Sequence, residues 1–301
     1  MMELAELRSD TIFKPQRRKN PAHKIWKQRE IAGADFETKD GYPHIYTWTQ
    51  WKEEQWHDFH FIFGGTVNEP EMFLEANGGV EHPPFSIITL LNIHHQTGYY
   101  SQGGYGSRKT PPQLYFFNLK YDAQAIIKTL PDDVILQLME GNDCYVDTWE
   151  WQLTELQRLK KKNRKGKNFQ IWATMDDQRI DNNRYVRLAY LPKKFLSIEP
   201  IRFFTDGVKW VKLDCWDIAQ FCGRGSLDFN AKKHLGEGKL DFNKEEMSLL
   251  GSLSAEGVKF TQDNWQKIIE YAEKDANLTA RLSWKIVNGF EQNRIRMVRP
   301  F

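Results

Sequence analysis

Two carboxylates separated by one residue, Asp35 and Glu37, follow an apolar run with the composition of a β-strand. Side chains at positions i and i+2 of a strand share one face, so both carboxylates point the same way while Phe36 points to the other side. Two like charges held this close repel each other unless water solvates them or a cation lies between them. The pair is therefore a candidate ligand set for a divalent metal ion.

Further acids occur at two other places where the chain is expected to change or continue an element. Asp122 lies where the predicted buried strand 113–119 passes into a helix, and ligand sites collect at the carboxyl ends of strands in open α/β sheets. The helix dipole also favours a carboxylate in a first turn, so a simple helix cap is the alternative. Tyr271 and Asp275 lie one turn apart on the long final helix and are predicted to face one site.

These positions together supply four carboxylates and one tyrosine. Mg²⁺ and Mn²⁺ prefer oxygen ligands, and two such ions about 4 Å apart can clamp the attacking and leaving oxygens of a phosphodiester. A phenol with an ordinary pKa of about 10 is a poor base but a good hydrogen-bond partner for the attacking water. The predicted chemistry is two-metal hydrolysis of a phosphodiester bond, and the candidate catalytic residues are Asp35, Glu37, Asp122, Tyr271 and Asp275.

Three short motifs carry a resemblance to a known family. Asp-Phe-Glu-Thr at 35–38, Asn-Leu-Lys-Tyr-Asp at 118–122 and Tyr-Ala-Glu-Lys-Asp at 271–275 resemble, in order, the exonuclease motifs of the proofreading domain of family B DNA polymerases. The tyrosine of the third motif is typical of the DEDDy subtype. Residues 213–242 resemble the segment that connects the later motifs in that family, and the likeness spans about 30–285. Each motif alone is common, whereas the ordered set is specific.

The resemblance implies an α/β fold with an RNase H-like mixed sheet flanked by helices, and 3′–5′ hydrolysis of single-stranded DNA ends. It implies that two Mg²⁺ or Mn²⁺ ions are held by the four acids and that the tyrosine orients the water. It also implies that three further residues shape the site for the last nucleotides. These are Thr38, Asn118 and Tyr121.

The sequence contains none of the motifs of the polymerase palm. The expectation is a free-standing exonuclease, with the exonuclease part of a longer polymerase as the alternative. A separate polymerase, or a replication, repair or defence complex, would then be a partner.

Two other functions stay open at this point. The same site could act on RNA, because nothing in the motifs separates ribose from deoxyribose and only a contact to the 2′-hydroxyl would decide. The chain could instead be a non-catalytic module that binds nucleic acid or docks a partner on an old nuclease fold. The presence of all four acids and the tyrosine favours an enzyme.

The order of predicted elements divides the chain into two parts. Residues 1–23 form a basic arm, and 24–301 form the exonuclease domain, in which a strand-rich insertion covers about 144–212. Short strands first, a strand–helix crossover next and a long helix last predict a mixed sheet flanked by helices. The basic run 158–167 is expected at a hairpin tip, and the glycine-rich segment 101–109 is expected to be a flexible loop.

Composition excludes several classes of protein. The net charge is +2 with a pI near 8.2, which is not the strongly basic signature of a DNA-coating protein. No stretch approaches the roughly 20 apolar residues that span a bilayer, and the N-terminus has no apolar core of a signal peptide. Three cysteines without C-x-x-C spacing predict neither a disulfide framework nor a cysteine zinc site. We expect a cytoplasmic protein of prokaryotic or viral type.

Overall fold

The computed structural model describes residues 30–97, 99–103, 106–147, 185–201, 204–205 and 208–292. The predicted basic arm 1–23 and the basic run 158–167 lie outside the described residues. Twelve strands are present in the described ranges: β1 Ile31–Lys39, β2 Tyr42–Lys52, β3 Gln55–Ile62, β4 Tyr99–Gly103, β5 Gly106–Thr110, β6 Gln113–Phe116, β7 Cys144–Asp147, β8 Tyr185–Leu191, β9 Phe195–Pro200, β10 Phe204–Thr205, β11 Val208–Trp210 and β12 Leu213–Asp217.

Eight helices accompany these strands in the same described ranges: α1 Ile87–Thr97, α2 Leu119–Ile127, α3 Asp132–Met139, α4 Ala219–Cys222, α5 Leu227–Leu235, α6 Lys244–Leu250, α7 Ala255–Asp263 and α8 Trp265–Gln292. None of the helices in this part of the chain is long and apolar enough to cross a membrane.

The larger sheet has eight strands in the order β3-β2-β1-β6-β12-β9-β8-β7. The central pairs β1–β6 and β6–β12 are parallel. The pairs toward both edges are antiparallel, which makes the sheet mixed. The predicted α/β class is therefore confirmed, with an eight-stranded mixed sheet and eight helices in the described residues.

Successive side chains of β1 point alternately to the two faces of the larger sheet, and both faces are packed. Ala32, Ala34 and Phe36 pack into a hydrophobic cluster with residues of α1 and α2. The other face of β1 lies against α8, and Gly33 permits the contact: a Cβ at this position would lie 2.1 Å from the backbone nitrogen of Ala280. Only a residue without a side chain fits there, so helix and strand backbones touch at Gly33.

A second cluster lies under α8, where Leu278 and Leu282 pack against Tyr115 of β6. Their spacing of four residues places both on one face of the helix, as the sequence predicted for this segment. One face of the larger sheet at β1 and β6 thus packs against α1 and α2, and the other packs against α8. Asp35 and Glu37 follow Gly33 at intervals of two residues and therefore lie on the α8 side.

The structure corrects the expectation of a flexible loop at 101–109. The described residues on either side of its glycine-rich tip pair as the antiparallel strands β4 and β5, and β11 adds to β5 in parallel. A second sheet results, in the order β10-β11-β5-β4. The pairing with β11 is non-local, and it gives this polar segment partners for its backbone hydrogen bonds that its own sequence does not reveal.

Within the expected insertion 144–212, the described residues are strands of both sheets. β7, β8 and β9 extend the larger sheet, whereas β10 and β11 belong to the second sheet. The run 208–216, which resembles one strand in sequence, is divided between β11 and β12 in different sheets.

Candidate metal centre

The first two acids of the site lie at the carboxyl-terminal part of β1. Asp35 and Glu37 point to the α8 side, whereas Phe36 is buried in the opposite cluster, where its ring centre lies 4.5 Å from that of Tyr46. The register of β1 against β2 shifts between Glu37 and Thr38, which marks a bulge immediately after the second acid. The predicted sharing of one strand face by the two carboxylates agrees with this placement.

Helix α8 supplies the third acid and the tyrosine. The close approach at Gly33 presses the helix against β1, and Thr47 of β2 fastens it by donating a hydrogen bond of 3.0 Å to the carbonyl of Ala272. Asp275 is 3% exposed, and one carboxylate oxygen each of Asp35, Glu37 and Asp275 can be chosen so that all lie within 4.8 Å of one another.

Helix α2 brings the fourth acid from another wall. The β1–β6 ladder runs only from Ile31–Gln113 to Gly33–Tyr115, so the amide of Phe36 has no partner on β6. Asp122 fills that gap, because its Oδ1 accepts a hydrogen bond of 3.1 Å from the backbone nitrogen of Phe36. Asp122 is 5% exposed and is thereby more than a helix cap, although it is not within the 4.8 Å group of the other three acids.

The turn into α2 is held by Asp217, to which the sequence alone gave no role. Asn118 adopts a left-handed conformation with φ of 64°, and its backbone nitrogen donates a hydrogen bond of 3.2 Å to Asp217 Oδ1. The same oxygen accepts a bond of 2.9 Å from the backbone nitrogen of Ala219. Asp217 at the end of β12 therefore fixes the loop that carries the second motif.

All eight predicted site residues line one cavity of about 520 Å³. Tyr121 stands at its edge with 70% of its surface exposed, and Met247 of α6 contributes to the wall. The predicted residues brought together in this way are Asp35, Glu37, Thr38, Asn118, Tyr121, Asp122, Tyr271 and Asp275.

Lys239 is a charged cavity residue to which the sequence alone gave no role. Its ammonium forms an ion pair with Asp275 Oδ2 and lies 4.8 Å from the centre of the Tyr271 ring. Its backbone nitrogen donates a hydrogen bond of 3.0 Å to Asp228 Oδ1, which anchors the segment. Burial alone would lower the pKa of Lys239, but the neighbouring Asp275 and Tyr271 outweigh it and raise the pKa. The lysine is therefore a permanent cation in the site.

Burial and mutual repulsion raise the pKa values of the carboxylates. Burial, reinforced by Asp275, raises the pKa of Asp35 to about 7. Burial and then the charge of Asp35 raise the pKa values of Glu37 and Asp122 well above their ordinary range. Clustered acids of this kind hold protons that a divalent cation can displace, because the cation stabilises the ionised forms.

The donor set fits a hard divalent cation. The group consists of carboxylates, without histidine or cysteine, and such oxygen ligands suit Mg²⁺ or Mn²⁺ rather than zinc. Asp275 Oδ1 is buried and has no hydrogen-bond partner in the described part of the chain, whereas its other oxygen is paired with Lys239. An unpartnered buried carboxylate oxygen is costly, and a metal ion would satisfy it.

Comparisons of the chain with protein-family models, with curated proteins and with solved structures found no match. The family likeness therefore rests on the three motifs and their order. The shared cavity is an independent observation, because nothing in the motifs alone requires residues 35, 122 and 275 to meet.

Proposed function

We propose that this chain is a metal-dependent 3′–5′ exonuclease of the DEDDy type that acts on single-stranded DNA. One observation carries the proposal: three motifs that lie far apart in the sequence, 35–38, 118–122 and 271–275, contribute all four acids and the tyrosine to one cavity. Four carboxylates around one cavity are what a two-metal phosphodiesterase requires.

The sheet supports an RNase H-like core for this domain. Strands β3, β2 and β1 form an antiparallel meander, and β6 and β12 continue from β1 as parallel strands. The first two acids lie on the central strand β1, and Asp122 follows its parallel neighbour β6. We take this arrangement as support for the proposed RNase H-like core.

The chain's own residues have separable roles in the proposed reaction. Asp35, Glu37, Asp122 and Asp275 would hold two divalent ions, which when bound supply Lewis acidity and lower the pKa of the attacking water. Burial, reinforced by Asp275, raises the pKa of Tyr271, so its phenol stays protonated and donates a hydrogen bond rather than accepting a proton. Tyr271 thereby orients the attacking water, and Lys239 holds Asp275 in place.

The outer part of the cavity suits the last nucleotide of an unpaired strand. Thr38, Asn118 and Tyr121 line it, and the exposed ring of Tyr121 offers a stacking surface for a base. The cavity volume falls in the usual range for a site that holds one small molecule. A frayed 3′ end, such as a separate polymerase or repair complex would present, is the proposed substrate.

A time course on 5′-labelled single-stranded DNA with Mg²⁺, Mn²⁺ or EDTA tests the proposal. The matched variants are Asp35→Ala in the cavity and Asp263→Ala on the surface, where Asp263 pairs with Lys259. We expect a ladder that shortens from the 3′ end, requires metal, and is lost only in Asp35→Ala. Full activity of Asp35→Ala would contradict the proposal that this cavity is the catalytic metal site.

An RNA of the same sequence, run in competition with the DNA, decides the sugar preference. Faster loss of the RNA would make the enzyme an exoribonuclease with the same metal centre. An intact DNA and an intact RNA in every lane would contradict the nuclease proposal as a whole.

A further inference from the structure

Lys128 lies on the rim of the same cavity, at the C-terminal end of α2. Its ammonium donates a hydrogen bond of 2.5 Å to the carbonyl of Asp40 and lies 3.9 Å from the centre of the Tyr42 ring. Both contacts belong to the tight turn between β1 and β2, where Asp40 and Gly41 have positive φ values of 48° and 77°. The position of this exposed cation is therefore fixed by the fold.

Among the residues that the structure describes, no carboxylate forms an ion pair with Lys128. Of the two lysines that line the cavity, Lys239 is paired with Asp275. For Lys128, by contrast, no carboxylate oxygen lies within 4.0 Å of Nζ among the residues described, and its contacts are a carbonyl and an aromatic ring. An ammonium has three donors, so at least one donor is available to a ligand in the cavity.

One face of α2 connects this cation with the carboxylates. Tyr121, Ala125 and Lys128 recur at spacings of four and three residues, and all of them line the cavity. Asp122 also lines the cavity, and it precedes Lys128 by six residues, or about 9 Å along the helix axis. The small side chain of Ala125 leaves the wall low between an aromatic ring and a cation, which is a track of the kind that binds a single strand.

We propose, resting on the function proposed above, that Lys128 binds an internucleotide phosphate upstream of the scissile bond. The 3′ end of the strand then lies among the four carboxylates, its terminal base lies near Tyr121, and its 5′ portion follows α2 toward Lys128. The ligand class is a phosphodiester of an oligonucleotide longer than the terminal nucleotide. The competing explanation is structural, in which Lys128 only fastens the β1–β2 turn and offsets the negative end of the α2 dipole.

Two substrates separate these explanations. A 5′-labelled oligodeoxynucleotide carries upstream phosphates, whereas thymidine 5′-(p-nitrophenyl phosphate) carries a scissile diester and no upstream phosphate. The variants are Lys128→Gln, Lys128→Arg and, as a control on the same helix outside the cavity lining, Lys120→Gln. Thermal unfolding of each variant is recorded beside its KM and kcat. If Lys128→Gln unfolds at the assay temperature, Lys128→Met replaces it, because the longer apolar chain keeps the contact with Tyr42.

Lys128→Gln is expected to raise the KM for the oligonucleotide roughly tenfold, the size of one lost charge-assisted hydrogen bond. The dependence of log KM on log salt concentration should weaken by about 0.7, the slope per phosphate contact on a single strand. Hydrolysis of the nitrophenyl ester should not change, and Lys128→Arg should restore most of the oligonucleotide KM.

Unchanged oligonucleotide KM and salt slope, or an equal loss on both substrates, would overturn the role of Lys128 while leaving the nuclease proposal intact. Wild-type protein that cleaves neither substrate with Mg²⁺ or Mn²⁺ would overturn the proposed function and this inference together.

Discussion

The Lys239 ammonium forms an ion pair with the Asp275 carboxylate, so the acid of the third motif is held by a residue outside all three motifs. The pairing takes Oδ2 and leaves Oδ1 buried without a hydrogen-bond partner among the described residues. Lys239 also lies against the Tyr271 ring. One lysine thus contacts both of the predicted site residues that α8 contributes to the cavity.

Replacing Lys239 by Met should lower kcat roughly 100-fold, because Asp275 and Tyr271 lose their common partner. The control is Lys259→Met, which removes an exposed lysine paired with Asp263. Steady-state kinetics with a pH profile make the measurement. A purely structural role for Lys239 would lower the unfolding temperature without moving the profile, and unchanged kinetics would contradict the assigned role.

The carboxylates should couple stability to pH in the absence of metal. Burial and Asp275 raise the pKa of Asp35 from 3.8 to about 7, so the folded chain binds this proton more tightly than the unfolded chain. The resulting stability is fully present below pH 3.8 and is lost as the pH rises through about 7. Asp35→Asn should therefore raise the unfolding temperature in EDTA at pH 8, by roughly 2–4 °C per kcal/mol, and much less at pH 4.

Calorimetric unfolding of both proteins in EDTA, at pH 4 and pH 8, checks this coupling. Addition of Mn²⁺ at pH 8 should reverse the order, because wild type gains stability by binding the ion and the variant loses a ligand. An unfolding-temperature difference that is the same at both pH values would contradict the raised pKa of Asp35.

Tyr271→Phe isolates the hydroxyl from the packing of the ring. The Phe242 ring centre lies 4.8 Å from that of Tyr271, and a phenylalanine would keep this contact. We expect kcat to fall roughly 10- to 100-fold with little change in KM or unfolding temperature, because the ring packing is kept and the hydroxyl proposed to orient the attacking water is lost. Single-turnover cleavage of labelled DNA measures the step, and wild-type rates would show that the phenol has no part in it.

Gly33→Ala tests whether the approach of α8 to β1 builds the site. The added methyl would lie 2.1 Å from Ala280 N and 2.4 Å from Ala276 O, so the helix must move away and carry Asp275 with it. We expect a loss of about 2–4 kcal/mol in unfolding free energy, together with weaker Mn²⁺ binding.

Gly289→Ala is the matched control for this change. Gly289 lies on α8, and a Cβ added there would have no atom within 4 Å. This substitution should leave metal binding unchanged and stabilise the chain by about 0.5–1 kcal/mol through helix propensity. Equal effects of the two substitutions in denaturant titrations would contradict the close packing at Gly33.

The sequence was most informative where local periodicity decides geometry. The alternation of β1 places Asp35 and Glu37 on one face, and the helical spacing of Tyr271 and Asp275 directs both into the cavity. These relations depend on backbone geometry alone, so a motif in the correct element carries them.

Relations that depend on distant partners were not predictable in this way. Lys39 ends β1 as a fully buried lysine, bonded to the carbonyls of Leu250 and Ser252 and to Thr261 Oγ1. The ion pair of Lys239 could not be predicted either, because it depends on where α8 places Asp275. The prediction of a flexible loop at 101–109 was wrong for the same reason, since the partner strand β11 lies about a hundred residues later.

Direct Mn²⁺ binding, followed by the paramagnetic resonance signal of the free ion at pH 8, tests the central claim most directly. We predict two Mn²⁺ ions per chain in the wild type, competed by Mg²⁺, and a loss of at least one ion in Asp275→Asn but not in Asp263→Asn. Wild-type protein that leaves the free Mn²⁺ signal unchanged, or an Asp275→Asn variant that binds both ions with wild-type affinity, would contradict a metal centre in this cavity.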